Sequence, residues 1–315
     1  MSSCESNNFI WTMWWQGEEN APMLVKRCIR SMRQNSNGAN VIVITKDNFK
    51  DYVNVPKFIL DRVMKEITLT HLSDIIRFEL INNYGGIWID STVYVNDLIP
   101  MEIFDFDFFT IKMKYDETTM IRNIAKARWS AYLVGGKKHN IVSEKMLDLF
   151  YDYWKKENML ISYFLIDYFM DYIIDNDKEV YELWDSIPAI EYDIFYMHGK
   201  LNDSEYDINK IGLFNKLSWK DDYIVNLNNK PTLYGKVFGI KENLQKKANG
   251  KIKKLKNYFQ DCFNYNYICS YGLKISLLSF LHLCVQVKKG KIFNLIDNQY
   301  NKVIKNYISK NFQVI

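Results

Sequence analysis

Ser73-Asp-Ile-Ile-Arg-Phe-Glu-Leu-Ile-Asn-Asn-Tyr-Gly-Gly-Ile-Trp-Ile-Asp90 is the stretch of sequence that decides the fold. Apolar residues recur in its first half at the spacing of one helix face, which predicts a helix from an N-cap at Thr70 to about Asn83. Gly85 suits the C-terminal stop of that helix. The apolar run that follows, residues 87–95, predicts a buried strand.

Three acidic or basic residues give this stretch its chemistry. Asp74 and Arg77 are three residues apart on the predicted helix, so their side chains can touch. An exposed salt bridge worth about 0.3–0.5 kcal/mol is the simpler interpretation of that pair. Asp90 lies inside an apolar run, where a carboxylate is costly unless a metal ion, ligand hydroxyls or backbone N–H groups pair with it.

The rest of the first 235 residues alternates between strand and helix patterns. Strands are predicted near residues 9–14, 41–45, 106–112 and 131–134, and helices near 22–33, 56–66, 140–157 and 162–174. This alternation predicts an α/β domain with a mostly parallel sheet flanked by helices. Ligands bind such sheets at the carboxyl ends of strands, where Trp14 and Asp90 are expected. We therefore predict a catalytic domain over residues 1–235 and a helical region over residues 236–315.

Composition favours a folded protein with reduced thiols. Residues with hydrophobic side chains make up 48% of the chain and aromatic residues 16%, which argues for a sizeable core. The five cysteines are odd in number and contain no CxxC pair, so we expect neither a disulfide framework nor a zinc site. No secretory signal is expected at the N-terminus, and no apolar run is long enough to span a bilayer. We predict a cytoplasmic protein, soluble or peripheral to a membrane.

Positive charge is concentrated toward the end of the chain. Residues 241–315 contain fourteen lysines and three acidic residues, a net charge of +11, which leaves −7 for residues 1–240. This asymmetry suggests contact with an anionic surface, and the inner face of a membrane is expected in preference to nucleic acid. A solvated helical face is the simpler alternative.

Three segments, taken in order, resemble a known group of glycosyltransferases. They are residues 9–31 with their Trp-rich start, residues 72–95, and residues 129–135 with the aromatic helix near Tyr168. The chain resembles capsular polysaccharide synthesis proteins and family 32 glycosyltransferases and, more distantly, the large clostridial glucosylating toxins. The resemblance covers roughly the first half of the chain.

The resemblance implies a GT-A-like (Rossmann-like) fold and a retaining transfer of a hexose from a nucleotide sugar, UDP-glucose or UDP-galactose. It assigns donor binding to residues that match the group's motifs. These are Trp11, whose ring would stack on the donor base, and Ser73, Asp74, Arg77, Trp88, Asp90 and Ser91 around the sugar and phosphates. A strand aromatic buried in the core is the simpler interpretation of Trp11.

One position departs from the pattern of the group. Many relatives have an Asp-x-Asp motif whose second acid binds a divalent metal, whereas this chain has Asp90 followed by Thr92. The resemblance implies Mn²⁺ or Mg²⁺ held by Asp90 and Thr92, but a threonine hydroxyl is a weaker ligand than a carboxylate. Metal dependence is therefore an open expectation.

Further candidates lie later in the chain. Asp167 is a candidate catalytic residue because it falls in an aromatic helix, where an unpaired carboxylate is costly. Trp219 and Lys220 are candidates for donor or diphosphate contacts, in a Lys216-Leu-Ser-Trp-Lys segment similar to a C-terminal motif of capsular relatives. His198 is expected to be a loop residue rather than a metal ligand.

Three functions are compatible with these features. The first is a glycosyltransferase that extends a lipid-linked oligosaccharide in bacterial capsule or surface-polysaccharide synthesis. The second is a glucosyltransferase that modifies a protein, by analogy with the toxins. The third is a non-enzymatic carbohydrate- or nucleic-acid-binding protein in which the pair of Asp74 and Arg77 is only a salt bridge.

Overall fold

A computed structural model of the protein describes residues 8–113, 124–238 and 292–312, with the side chains of residues 292–300 left out. The strands are β1 (Phe9–Met13), β2 (Asn40–Ile44), β3 (Gly86–Ile89), β4 (Val93–Val95), β5 (Phe108–Thr110), β6 (Lys112–Met113), β7 (Leu133–Gly136), β8 (Ala189–Ile190), β9 (Phe214–Lys216), β10 (Asn226–Leu227) and β11 (Lys230–Pro231). The helices are α1 (Met23–Gln34), α2 (Phe49–Tyr52), α3 (Lys57–Leu60), α4 (Leu69–Tyr84), α5 (Ile141–Lys156), α6 (Leu165–Asn176), α7 (Lys178–Ser186), α8 (Tyr196–Lys200), α9 (Leu233–Phe238) and α10 (Ile292–Asn311). Three short 3-10 helices cover Glu18–Asn20, Met101–Asp105 and Ile208–Lys210.

A five-stranded sheet in the order β2-β1-β3-β7-β5 forms the centre of the protein. β1 pairs in parallel with both β2 and β3. β7 is antiparallel to β3 and to β5, so β5 runs in the same direction as the first three strands. The predicted α/β class, with a mostly parallel sheet flanked by helices, is confirmed.

Apolar residues alternate between the two faces of this sheet, because successive side chains of a strand point to opposite sides. Trp11 and Trp88 face the larger core, which is completed by helices α4, α5 and α6. Ile87 and Ile89 face a second core on the other side. The central strand β3 is thus covered on both faces, which places the residue that follows it at a protected edge.

The junction between α4 and β3 depends on two glycines. Thr68, rather than the predicted Thr70, caps the helix by accepting a hydrogen bond from the backbone N–H of His71. Gly85 ends it with a φ of 71°, as expected. At Gly86, with a φ of 92°, a Cβ atom would lie only 2.4 Å from the carbonyl oxygen of Phe9. The chain can therefore turn from helix to central strand without a linker.

The predicted strand over residues 87–95 is two strands that belong to different sheets. β3 ends at Ile89, and a turn closed by the hydrogen bond from Val93 N–H to Asp90 C=O leads into β4. β4 pairs with β9 instead of continuing in the central sheet. The polar residues of this interruption therefore occupy a turn, where their side chains can converge.

The predicted helix over residues 56–66 was also too long. Helix α3 is a single short turn of helix, Lys57–Leu60, followed by turns. In contrast, α5 begins with Asn140 as its cap and ends at Lys156, close to the prediction.

Helix α10 packs against α6 at the far end of the chain. Ile304, Ile308 and Phe312 belong to the larger core, and the Tyr172 hydroxyl donates a hydrogen bond to the carbonyl oxygen of Phe312 over 3.0 Å. The predicted boundary near residue 235 stays a prediction, because residues 239–291, which contain most of the lysine-rich segment, lie outside the described residues. Among the helices that the structure describes, none is long and apolar enough to cross a membrane.

Candidate active site

The candidate site lies at the edge of the sheet where β1, β2 and β3 end. Since these strands are parallel, the residues that follow them meet at one edge. Gly85 joins α4 directly to β3, so the helix runs back beside the strand. Arg77 precedes the end of α4 by about two turns, roughly 12 Å, which matches the roughly 13 Å length of β3. This brings Arg77 level with Asp90.

Asp90 is the centre of the site. Its Oδ1 atom accepts a hydrogen bond of 2.8 Å from the Trp88 indole and lies 3.6 Å from Arg77 Nη2. Its Oδ2 atom accepts a hydrogen bond of 2.7 Å from Lys216 Nζ. Burial would raise the pKa of Asp90, but the charges of Lys216 and Arg77 and the hydrogen bonds outweigh burial and lower it. Asp90 is therefore a carboxylate at neutral pH, and its side chain is still 28% exposed.

Arg77 is buried behind Asp90. Its Nη2 atom lies 3.2 Å from Asp74 Oδ1, and its guanidinium carbon lies 5.0 Å from the centroid of the Trp88 ring. Nη1 donates a hydrogen bond to the carbonyl oxygen of Ala131. The side chains of Arg77 and Asp74 are only 4% and 6% exposed, so the pair is not the surface salt bridge of the simpler interpretation.

Two further carboxyl groups of this cluster hold protons more tightly than usual. Burial raises the pKa of Asp74 to about 6, against the opposing effect of Arg77. Burial, followed by the charge of Asp74, raises the pKa of Asp167 to about 7. The structure thus brings the four predicted catalytic residues, Asp74, Arg77, Asp90 and Asp167, into one electrostatically coupled group. The catalytic role of each remains a prediction.

The raised pKa of Asp167 predicts a pH dependence of stability. The folded protein keeps this proton up to about pH 7, whereas the unfolded chain loses it near pH 4. The free energy of unfolding should therefore fall as the pH rises between these values. In wild type, the free energy of unfolding is measured by urea unfolding at pH 5 and at pH 8. Asp167→Asn is expected to make the decrease between these two pH values about 1–3 kcal/mol smaller. Asp148→Asn, at an exposed position on α5, is the control; an unchanged pH dependence in Asp167→Asn would contradict the prediction.

Lys216 is the site residue that the sequence interpretation missed. It ends β9 opposite Val93 of β4, and Leu217 N–H donates a hydrogen bond of 2.9 Å to the carbonyl oxygen of Thr92. Lys216 Nζ reaches both Asp90 and Thr92, with 2.8 Å to Thr92 Oγ1. Its position at the head of the Lys216–Lys220 segment was a signal, but only the pairing of β4 with β9 shows which residue of that segment reaches the site.

The predicted metal ligands do not fit a divalent ion in this arrangement. The facing oxygen atoms of Asp90 and Thr92 are both bonded to the ammonium group of Lys216. A metal ion between them would lie within a few ångströms of that positive charge, which is strongly unfavourable unless Lys216 moves. Among the described residues, no group of three or more His, Cys, Asp or Glu side chains is arranged to hold a metal.

Trp11 lies in the core. Its ring is fully buried, stacks on Phe9 with 4.9 Å between centroids, and contacts Tyr84 and Tyr52. Its indole N–H donates to the carbonyl oxygen of Gly85. Because the ring has no exposed surface, the predicted stacking on a donor base would require a neighbour to move. This placement matches the simpler interpretation of a buried strand aromatic.

Partly exposed aromatic residues lie beyond the end of β1 instead. Trp14 contacts Trp219 edge to face, with 5.7 Å between ring centroids, and Trp219 is 42% exposed. Lys220 Nζ lies 5.9 Å from the centroid of the Trp219 ring. These contacts place the predicted residues Trp219 and Lys220 next to the end of β1, although not in contact with Asp90.

The remaining predicted residues are Ser73, Ser91 and His198. Ser73 is partly buried on α4 and donates its hydroxyl to the carbonyl oxygen of Thr70, while Ser91 is buried in the turn after Asp90. His198 belongs to helix α8 and not to a loop, and its Nε2 atom lies 2.8 Å from Asp221 Oδ2. Ser73 and His198 thus have protein partners of their own.

A mixed, mostly parallel α/β sheet thus carries an acidic and cationic cluster at the carboxyl edge of its first three strands. The family model for capsular polysaccharide synthesis proteins matches residues 1–237, and the chain belongs to that family. This membership confirms the predicted family and supports glycosyltransferase activity.

Comparisons with individual proteins give less information about this chain than the family match does. No curated protein sequence matches the chain. Among solved structures, one described as "PaToxG Glycosyltransferase" is similar at 12% identity and a TM-score of 0.31, covering 95% of this chain and 87% of that chain. At that level of similarity, it carries no argument about the function of this chain.

Proposed function

We propose that this protein is a retaining glycosyltransferase that moves a hexose from a nucleotide sugar, UDP-glucose or UDP-galactose, to a lipid-linked oligosaccharide during synthesis of a bacterial capsule or surface polysaccharide. The observation that carries the proposal is the position of Asp90. It is an ionised, partly exposed carboxylate at the carboxyl end of the central strand, held by Trp88, Arg77 and Lys216. Membership of the capsular family supports the polysaccharide context.

The cluster behind Asp90 suits the binding of a sugar. A carboxylate oxygen has more than one lone pair, so Asp90 can accept hydrogen bonds from sugar hydroxyls while keeping its protein partners. The buried Nε atom of Arg77 has no hydrogen-bond partner among the described residues. A bound polar ligand or a water molecule would remove the cost of that unpaired donor.

The reaction would proceed at the donor's anomeric carbon. The bond between that carbon and the diphosphate oxygen breaks, and the electron pair leaves with the nucleoside diphosphate. The acceptor hydroxyl oxygen forms the new bond from the same face, and its proton passes to the departing diphosphate. Since that phosphate oxygen takes the proton, the mechanism requires no separate protein base. Asp90 would orient the sugar, and Arg77, itself paired with Asp74, would hold Asp90 in place.

A nucleotide screen tests this proposal. A ligand that binds only the folded state raises its stability by about 2.7 kcal/mol at one hundred times its Kd. We therefore expect UDP to raise the melting temperature by roughly 5 °C, and GDP, CMP and dTDP to have little effect. The measurement is thermal unfolding with each nucleotide, with and without Mn²⁺ or Mg²⁺, followed by hydrolysis of the matching UDP-sugars.

The outcomes of the screen separate the possible functions. No shift with any nucleotide and no UDP-sugar hydrolysis would favour a non-enzymatic binding protein. Transfer of labelled sugar to proteins in a lysate, but not to lipid extracts, would favour the protein-modifying alternative. Binding to vesicles of anionic lipid would support peripheral attachment through the lysine-rich residues after 240, a role proposed from the charge of the sequence alone.

A further inference from the structure

Lys216 is fixed in the site by the backbone and not only by its ion pair. The register of β4 and β9 sets Lys216 opposite Val93, and the next residue is hydrogen bonded to the carbonyl oxygen of Thr92. The stem of Lys216 therefore emerges beside the turn formed by residues 90–92. Because the pairing of β4 with β9 places Lys216 beside that turn, the position of its ammonium group is set by the fold.

The ammonium group occupies the point at which Asp90 and Thr92 converge. Nζ lies 2.7 Å from Asp90 Oδ2, 2.8 Å from Thr92 Oγ1 and 5.1 Å from the centroid of the Tyr132 ring. A lysine ammonium has three N–H donors, and these two hydrogen bonds use two of them. The Lys216 side chain is 21% exposed, so it is not closed off from solvent.

Thr92 is well suited to this neighbour. A second aspartate at position 92 would add a negative charge, which favours a divalent cation, whereas the threonine hydroxyl is a neutral acceptor that a lysine ammonium can satisfy. Lys216 and Thr92 thus form a matched pair. The threonine that replaces a second aspartate at position 92 and the lysine that β9 contributes therefore belong to the same hydrogen-bonded arrangement.

We propose that Lys216 binds the donor's diphosphate and stabilises the charge of the leaving group, in the role that a divalent metal at Asp90 and Thr92 would otherwise have. The inference rests on the proposed function for its reaction. As the bond between the sugar carbon and the phosphate oxygen breaks, the electron pair moves to the diphosphate, and a fixed ammonium beside it is favourable. The proton lost by the acceptor hydroxyl ends on that diphosphate, so no further reactant is needed.

Inorganic diphosphate is the probe for this site, because its binding does not depend on the identity of the nucleoside or sugar. The titration is made by calorimetry in EDTA with the full chain. Wild type is expected to bind, and Lys216→Met to bind at least about tenfold more weakly, the effect of losing a charge-assisted hydrogen bond. Lys216→Arg keeps the charge and should bind within about threefold of wild type. Lys210→Met is the matched control, because Lys210 is exposed at the end of the 3-10 helix that precedes β9.

Two results would overturn the proposal. One is diphosphate binding by wild type that is absent in EDTA and appears only with Mn²⁺. The other is equal binding by wild type and Lys216→Met, with both shown to be folded by circular dichroism. A second measurement is the titration of the protein with Mn²⁺, monitored by electron paramagnetic resonance. Stoichiometric Mn²⁺ binding by wild type that is lost in Asp90→Asn would also overturn the proposal.

The same titration separates this inference from the proposed function. If wild type binds diphosphate in EDTA and Lys216→Met does not, yet no nucleotide sugar is turned over, the anion site stands and the transferase reaction fails. If sugar transfer occurs in EDTA and falls with Lys216→Met but not with Lys210→Met, both are supported.

Discussion

Asp90→Asn is expected to lower the rate of sugar transfer by about 10²–10³-fold while leaving the protein folded. Asparagine has nearly the same shape as aspartate, so the turn after β3 should persist. The substitution removes the negative charge that lies between Arg77 and Lys216. Without that charge, Arg77 and Lys216 lose the carboxylate they share, and the proposed sugar site loses its charged hydrogen-bond acceptor.

The measurement is hydrolysis of the donor sugar selected by the nucleotide screen, with melting temperature as the test of folding. Asp148→Asn, an exposed position on α5, makes the same chemical change away from the site and should keep the wild-type rate. Turnover by Asp90→Asn at the wild-type rate would remove the central residue of the proposed site and with it the proposed function.

Arg77→Met is expected to lower the free energy of unfolding by about 3–5 kcal/mol at pH 7.5. The guanidinium is almost fully buried and neutralises Asp74, so its loss leaves a buried carboxyl group without its partner. Protonation of Asp74 relieves that charge, and burial already raises its pKa to about 6. The cost of the substitution should therefore be smaller at pH 5 than at pH 7.5, as measured by urea unfolding.

A double variant isolates the cause of this loss. Arg77→Met combined with Asp74→Asn removes both charges and should recover a large part of the stability, because replacing a whole buried pair costs less than breaking it. It should not recover activity, since Asp90 would still lack Arg77. Arg30→Met, at an exposed position on α1, is the control for loss of an arginine. Equal destabilisation of the single and double variants would contradict the electrostatic explanation.

Local patterns in the sequence were sufficient for the fold class and for the order of the main elements. The apolar stripe of α4, the glycine stop at Gly85 and the apolar β3 are all short-range features, and each formed close to where it was expected. Their spacing also fixed the pairing of Asp74 with Arg77, because residues three apart on a helix are neighbours. Errors arose at the ends of elements, as with the cap at Thr68 and the split of the strand at Asp90.

Tertiary structure decided the chemistry of the site. Whether a charged pair is exposed or buried depends on what packs around it. Here Arg77 bonds to Ala131, just before β7, and Asp167 of α6 is close enough to feel the charge of Asp74. The contact between Lys216 and Asp90 joins residues 126 positions apart. No local pattern encodes such a contact, because it follows from the pairing of two short strands. The sequence by itself determined that a carboxylate would end the central strand; the fold determined that its partner would be a lysine.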